Sequence, residues 1–391
     1  MKNNNLEKIT SEEKTIGEEF QICIANTLAE KKAIYKFRYK IYIEEMAKDK
    51  LKLNHRDKEL SDEMDEWGVL IYVKNGNEVV GTARMNFGKM RDFHEEIIEE
   101  LSMKDFHEYY VSINSDYQVA FVSKLMVAVE YRSSSVLYLI LIKFYEFYTK
   151  MGVQFSFAGC NLHLLCFYEK MGYHRYGKNF TDFGYGLLSP LVMLTDDLQH
   201  FRTIRSPFFR IAKKKTVINS QEVEWFHEKF TKKLNIVNSQ LVTADELWSI
   251  LCERLHALPT EVIEILQELS IEEAKLFLHS CSSIVQCAPG EVITIQGDVS
   301  YSYNILLSGH LKSLTFINPI KEYKMPGQYF GANGLTEHNK HTEEIVTTTQ
   351  SEILVLTGFE FPKFSKANLD IAHKIMRKMI TMTRNPVFHL K

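Results

Sequence analysis

Two kinds of hydrophobic pattern follow one another along this chain. From about residue 20 to 211, segments with helical spacing alternate with short apolar runs of strand character. From about 288 to 357, short strand-like runs come at regular intervals with glycine turns between them. A polar stretch with no strand signal, 212–258, lies between. The expected class is therefore mixed α/β: a three-layer α/β domain, a helical linker, and an all-β roll with flanking helices.

The elements justify this in order. Residues 1–16 are polar and read as a flexible tail, so the first domain is set at 17–211. IANTLAEKKAIYKFRYKIYIEEM spaces its apolar residues as a helix does. Residues 47–67 are polar and irregular, a long loop. GVLIYV and EVVGTARMN are joined across Lys74-Asn75-Gly76-Asn77, and Asn-Gly tolerates the positive φ of a tight hairpin. AFVSKLMVAV is almost continuously apolar, as a central strand would be. SSSVLYLILIKFYEFYTKMG is apolar nearly all round, a buried helix capped by Gly152. QFSFAG is a strand, HLLCFYEKMG a short helix stopping at Gly172, and YGLLSPLVML a closing strand. The linker is set at 212–258 and the second domain at 259–391.

Composition narrows the function classes. The chain has 391 residues, 45% of them hydrophobic, and a formal net charge of −3. Two packed cores are within reach, and there is no basic footprint for nucleic acid. No apolar run approaches the ~20 residues that span a bilayer. Six cysteines are scattered without a CxxC pair, which suits a reduced, cytoplasmic protein. No His, Cys and Asp set has metal-ligand spacing, so no metal is expected.

In VAVEYRSSSVLYLIL a strand runs into a polar loop and then a helix N-terminus. Free amides there, with Arg132 and the donors Ser133, Ser134 and Ser135, suit a phosphate. With CFYEKMGYHRYG downstream, the segment resembles the Gcn5-related N-acyltransferase (GNAT) superfamily. The resemblance implies a thioester lying in a splayed gap beside the central strand, held by the backbone of Met126, Val127 and Ala128. It puts Tyr168 where many members place the acid that protonates the leaving thiolate. The phosphate loop of the superfamily is glycine-bearing; here it is Arg132-Ser-Ser-Ser-Val136. That departure favours acyl carrier protein over acyl-CoA as the donor, with no tightly bound cofactor.

FRYKIYIEEM, LSDEMDEWGVLIYV, EVVGTARMN and FVSKLMV follow in an order similar to the long-chain N-acyl amino acid synthases and the N-acyl homoserine lactone synthases. The matching residues are Arg38, Tyr42 and Glu45; Asp62 and Asp65; Arg84; and Ser123 with Lys124. The resemblance implies transfer of an acyl group from a thioester to a small amine. Glu45, Arg84, Asp62, Asp65 and Tyr168 are the expected catalytic set. Arg38 and Tyr42 are expected to orient the acceptor, and Lys124 to bind the donor. A network of ion pairs that merely orders the loop is an alternative reading of the same charges. Glu44, Glu45 or a relayed water are open candidates for the base. Cys166 and His163 are expected to be packed residues.

APGEVITIQGD and YNILLSGHLKSLTF resemble the cyclic nucleotide-binding domain. That family's cassette holds the ribose with a glutamate and the phosphate with an arginine. Here Phe330 and Gly331 match, Ala332 replaces the glutamate, and His341 replaces the arginine, with Glu343 and Glu344 close by. A mostly neutral imidazole cannot supply the guanidinium's charged fork, so cyclic nucleotide binding is not expected. Regulation, or a homodimer through the C-terminal helix, is expected instead. Two other functions stay open: a protein lysine acetyltransferase under cyclic nucleotide control, and a non-catalytic signalling module.

Overall fold

The computed structural model describes the chain except residues 1–13, 16–19, 47, 49–55, 116, 133, 216–219, 232–235, 316–319 and 385–391. The expected tail at 1–16 thus lies outside the described residues, apart from Lys14 and Thr15, which are not a free tail but pair antiparallel with Ile22 and Gln21. The rest divides into two compact units. The first holds residues up to 159 with 191–198 and 207–225; the second holds 160–190, 199–206 and 226–391.

Five longer strands follow the two-residue strand Lys14–Thr15 in the first unit. β1 (Gln21–Ile24), β2 (Val69–Asn75), β3 (Glu78–Gly88) and β4 (Val119–Val127) pair antiparallel in that order. β5 (Phe155–Asn161) then pairs parallel with β4. The expected hairpin is present: Asn75 faces Glu78 across Gly76, whose φ is +58°. β4 is central, as its apolar run implied.

α1 (Leu28–Tyr39) starts at a capping box in which Thr27 and Glu30 exchange hydrogen bonds. It buries Ile34, Phe37, Arg38 and Tyr39, then widens into a π-helical turn at Lys40–Glu45. α2 (Lys104–Ser112) packs Phe106 edge-on against Phe155 and Phe157. α3 (Val136–Met151) buries Leu139, Ile140, Leu141, Phe144 and Tyr148, and ends at left-handed Gly152 as expected.

In the second unit, α4 (Leu165–Met171) runs through a left-handed Gly172 into β6 (Tyr173–Arg175). β7 (Phe180–Asp182) forms a ladder with the start of β8 (Gly186–Leu194), a strand buried along its length of which residues 186–190 belong to this unit and 191–194 to the first. Between 212 and 258 the described residues hold helices and no strand, ending with α5 (Ala244–Leu255).

The roll follows α6 (Ile271–Cys281). Its strands are β9 (Ser282–Cys287), β10 (Val292–Thr294), β11 (Ser302–Ser308), β12 (Leu311–Ser313), β13 (Glu322–Tyr323), β14 (Tyr329–Phe330), β15 (Ile345–Thr347) and β16 (Ser351–Thr357). They form two four-stranded sheets, ordered β9-β16-β11-β14 and β10-β15-β12-β13. α7 (Phe361–Ala367) and α8 (Leu369–Arg384) close it. One core joins Trp248, Phe277, Ile305, Leu354, Phe361 and Ile375.

Buried charge ties α4 and β6 into this unit. Arg175 Nε donates to Glu169 at 2.7 Å, and its Nη atoms donate to the carbonyls of Ile284 at 2.7 Å and Val237 at 2.6 Å. Burial pushes the Glu169 carboxyl up and Arg175 opposes it. Removing one partner leaves the other charge buried alone, at a cost of about 3–5 kcal/mol. Arg175→Met is therefore expected to lower the denaturant midpoint of the second unit sharply. Adding Glu169→Gln to it should recover part of the loss.

Candidate active site

The site starts from an irregularity in β4. Ser123 faces Arg84 and Met126 faces Thr82, so Lys124 and Leu125 together oppose Ala83 alone. This is a β-bulge, and Lys124 takes a φ of +55° to make it. On the other side, the parallel ladder covers only Ala120–Val122 against Ser156–Ala158. The later half of β4 thus runs past the end of that ladder.

Beside the bulge lies a charged cluster. Arg38, fully buried, donates from Nη1 to both oxygens of Asp65, at 2.8 and 2.9 Å. Arg84, also buried, pairs through Nη1 with Asp62 and with Asp65 at 3.1 Å, and donates from Nε to Ser123 Oγ at 3.0 Å. Lys124 Nζ reaches Asp62 Oδ2 at 3.2 Å and sits 5.8 Å from the Tyr42 ring centroid. Asp62 and Asp65 also cap a single 3₁₀ turn: the Asp62 amide donates to Asp65 Oδ2 and the Met64 amide to Asp62 Oδ1. The end of the stretch that reads as irregular in sequence, Asp62–Asp65, is fixed here by its own carboxylates.

The structure thus brings together Arg38, Tyr42, Asp62, Asp65, Arg84, Ser123 and Lys124. It adds Tyr35, whose ring lies 5.6 Å from the Arg38 guanidinium carbon. Burial, followed by the Asp65 charge, pushes the Tyr35 phenol up. Only helical spacing could have suggested it, since it stands one turn before Arg38. Among the described residues, three cations meet two carboxylates in the cluster, an excess of one positive charge. Asp62 is exposed and Lys124 half-buried, so these two form the cluster's outer rim.

Glu45 and the phosphate-loop residues form a second group. Glu45, at the end of the π-turn, pairs with Arg132. Arg132 Nε also donates to the Val127 carbonyl at 3.1 Å, and the Ala128 amide donates to Val80. Ser134 Oγ donates to the Tyr131 carbonyl and accepts from the Val136 amide, so it caps α3. Ser135 occupies the N-cap position without a side-chain cap bond, and Ser133 lies outside the described residues. The other candidate base, Glu44, pairs with Lys58 at 3.1 Å.

In the second unit, Tyr168 is buried on α4, edge-on to Phe167 and Tyr173. Cys166 is buried too. Burial, opposed by Lys170, pushes its thiol up to about 12, so it is protonated at neutral pH and no nucleophile. His174 on β6 packs against the rings of His200 and Phe226, and burial holds its imidazole well below the usual range.

At the cassette, Gly331 has a φ of +80°. The Ala332 amide donates to His341 Nδ1 at 3.0 Å, which sets the neutral imidazole's proton on Nε2. Glu343 accepts from Tyr323 Oη at 3.0 Å and pairs with Lys321 at 2.8 Å. Its charge is met inside the roll.

Residues 37–142 match the family model of the acetyltransferase (GNAT) domain. That match lies within the first unit. No curated protein matches the chain. Among solved structures, FeeM, an N-acyl amino acid synthase from uncultured soil microbes, is similar at 10% identity and TM-score 0.36, over 45% of this chain and 91% of that one. A cyclic nucleotide-binding domain from Methylobacillus flagellatus is similar at 14% identity and TM-score 0.30, over 37% and 80%. At these scores neither likeness bears on function. Among the described residues, no helix is long and apolar enough to cross a membrane.

The Asp62 carboxyl gives a direct test. The buried part of this half-exposed side chain would raise it, but Lys124 and Arg84 hold it down at about 2, against 3.8 unperturbed. A depressed carboxyl stabilises the fold above its unfolded value and loses that contribution as pH falls through the folded one. Stability of the first unit is therefore expected to drop between about pH 4 and pH 2. Asp62→Asn should flatten that part of the acid-denaturation curve.

Proposed function

We propose that this chain is an N-acyltransferase moving a long-chain acyl group from an acyl thioester, with acyl carrier protein as donor, to the amine of an amino acid or similar small acceptor. The observation that carries the reading is the charged cluster with its excess positive charge, set beside the bulge of β4. An acceptor carboxylate would be drawn to the Lys124 and Arg84 side, leaving its amine to Asp62. In the reaction the neutral amine attacks the thioester carbonyl, a C–N bond forms and the C–S bond breaks. The ammonium proton goes to a base, and the thiolate is protonated, a role this reading gives to Tyr168. The glycine-free loop, with Arg132 tied to Glu45, supports a donor presenting one phosphate over coenzyme A.

The second unit is proposed to regulate this activity without a cyclic nucleotide. His341 already accepts the Ala332 amide, so one polar group of the cassette is taken by the chain itself.

Mass spectrometry of lipid extracts from a bacterial host expressing the chain tests the reading. New long-chain N-acyl amines are expected, falling at least about tenfold with Lys124→Met, which deletes a charge at the rim and keeps the buried pairs (one lost charge-assisted contact). A lipid profile unchanged by the wild-type chain, with folded protein confirmed, contradicts it.

A further inference from the structure

The segment carrying Tyr168 packs as part of the roll's own unit, and its anchors lie at both ends of α4. Before the helix, Thr357 Oγ1 at the end of β16 donates to the His163 carbonyl at 2.6 Å. In its middle, Phe167 meets Phe359 edge-on with centroids 5.2 Å apart. Near its end, Lys170 Nζ donates to the Ser280 carbonyl at 3.2 Å and pairs with Glu360 at 2.7 Å. Helix α4 therefore has little freedom to move unless residues 357–360 of the roll move as well.

Those same residues meet the cassette loop. The Gly358 amide donates to the Tyr301 carbonyl at 2.9 Å, and the Gly334 amide to the Ser302 carbonyl at 2.9 Å. A Cβ on Gly358 would stand 2.2 Å from the Gly334 carbonyl oxygen and 3.1 Å from that of Tyr301. Three backbone segments thus close on one point with no room for a methyl group. The side chains run the same way. The Tyr301 ring stacks on His163 at 5.2 Å and 27°, and lies 4.7 Å from the ring of His338. His338 belongs to the exposed stretch 336–340 of the cassette loop. The loop is also bound to the segment before β11, through Ser300 N to Asn339 O and His341 N to Asp298 O, each 2.8 Å.

We propose that Tyr301 and His163 are positioning residues. They tie the conformation of the cassette loop to α4, and so set the Tyr168 side chain according to the state of that loop. The inference rests on the acyltransferase reading for what Tyr168 does, but the mechanical link does not. In this arrangement the exposed loop tip is the input, the ring series His338–Tyr301–His163 the connection, and α4 the output.

Hydrogen exchange on the full chain, read by mass spectrometry over residues 162–172, separates the two. Tyr301→Ala and His338→Ala are expected to speed exchange there roughly two- to tenfold, as loss of one aromatic contact would. Tyr301→Phe, which keeps the ring, should leave it at the wild-type rate. Unchanged exchange in both alanine variants overturns the proposal, as does acceleration spread evenly over the chain. No substrate is needed, so a failure of the acyltransferase reading leaves this result standing. Where product is formed, Tyr301→Ala should lower kcat with KM unmoved and Tyr301→Phe should restore it. A change in KM alone counts against the proposed output.

Discussion

A buried guanidinium must find its counter-charges inside the protein, and Arg84 imposes that requirement on the first unit. Its partners come from two places far apart in the chain: Asp62 and Asp65 from one turn, and Ser123 from the bulged strand. Asp65 is shared with Arg38, so α1, the 3₁₀ turn, β3 and β4 are held to one another by a single network. Breaking any buried member leaves an uncompensated charge. The proposed acceptor site and the ion-pair network that orders the turn share these residues. The same bonds that order the loop also fix the outer pair, Asp62 and Lys124, at the edge of the site.

Much of this was legible in the sequence because it is local. The Asn75-Gly76 turn, the helix ending at Gly152 and the apolar central strand each follow from a few neighbouring residues. The membership of the charged cluster was legible from motif order. Its wiring was not. Nothing in the spacing says that Arg38 takes both oxygens of Asp65, or that Lys124 adopts a positive φ to open a bulge. The π-turn at Lys40–Glu45 reads as ordinary helix, because a one-residue widening leaves the apolar pattern nearly intact. Glu45 illustrates the consequence. Its motif position groups it with Arg38, whereas the turn delivers it to Arg132.

The roll shows the converse. Its glycines and strand spacing gave away the fold, and its substitutions suggested a lost ligand. In the sequence His341 stands in the arginine's place without its charged fork, and Glu343 lies close by. In three dimensions the imidazole accepts the Ala332 amide, and Glu343 is paired with Lys321 and Tyr323. Both residues satisfy the cassette internally. Such contacts join positions whose partners are set only when the sheets close, so no local pattern announces them.

The central claim is that the positive excess of the Arg38–Asp65–Arg84–Asp62–Lys124 cluster selects an acceptor bearing a carboxylate. Release of the carrier thiol, followed with a long-chain acyl-acyl carrier protein and a panel of amines, measures this most directly. The account predicts that amino acids exceed the matching amines without a carboxylate by at least about tenfold in kcat/KM, the value of one charge-assisted contact. Equal rates for acceptors with and without the carboxylate would contradict it.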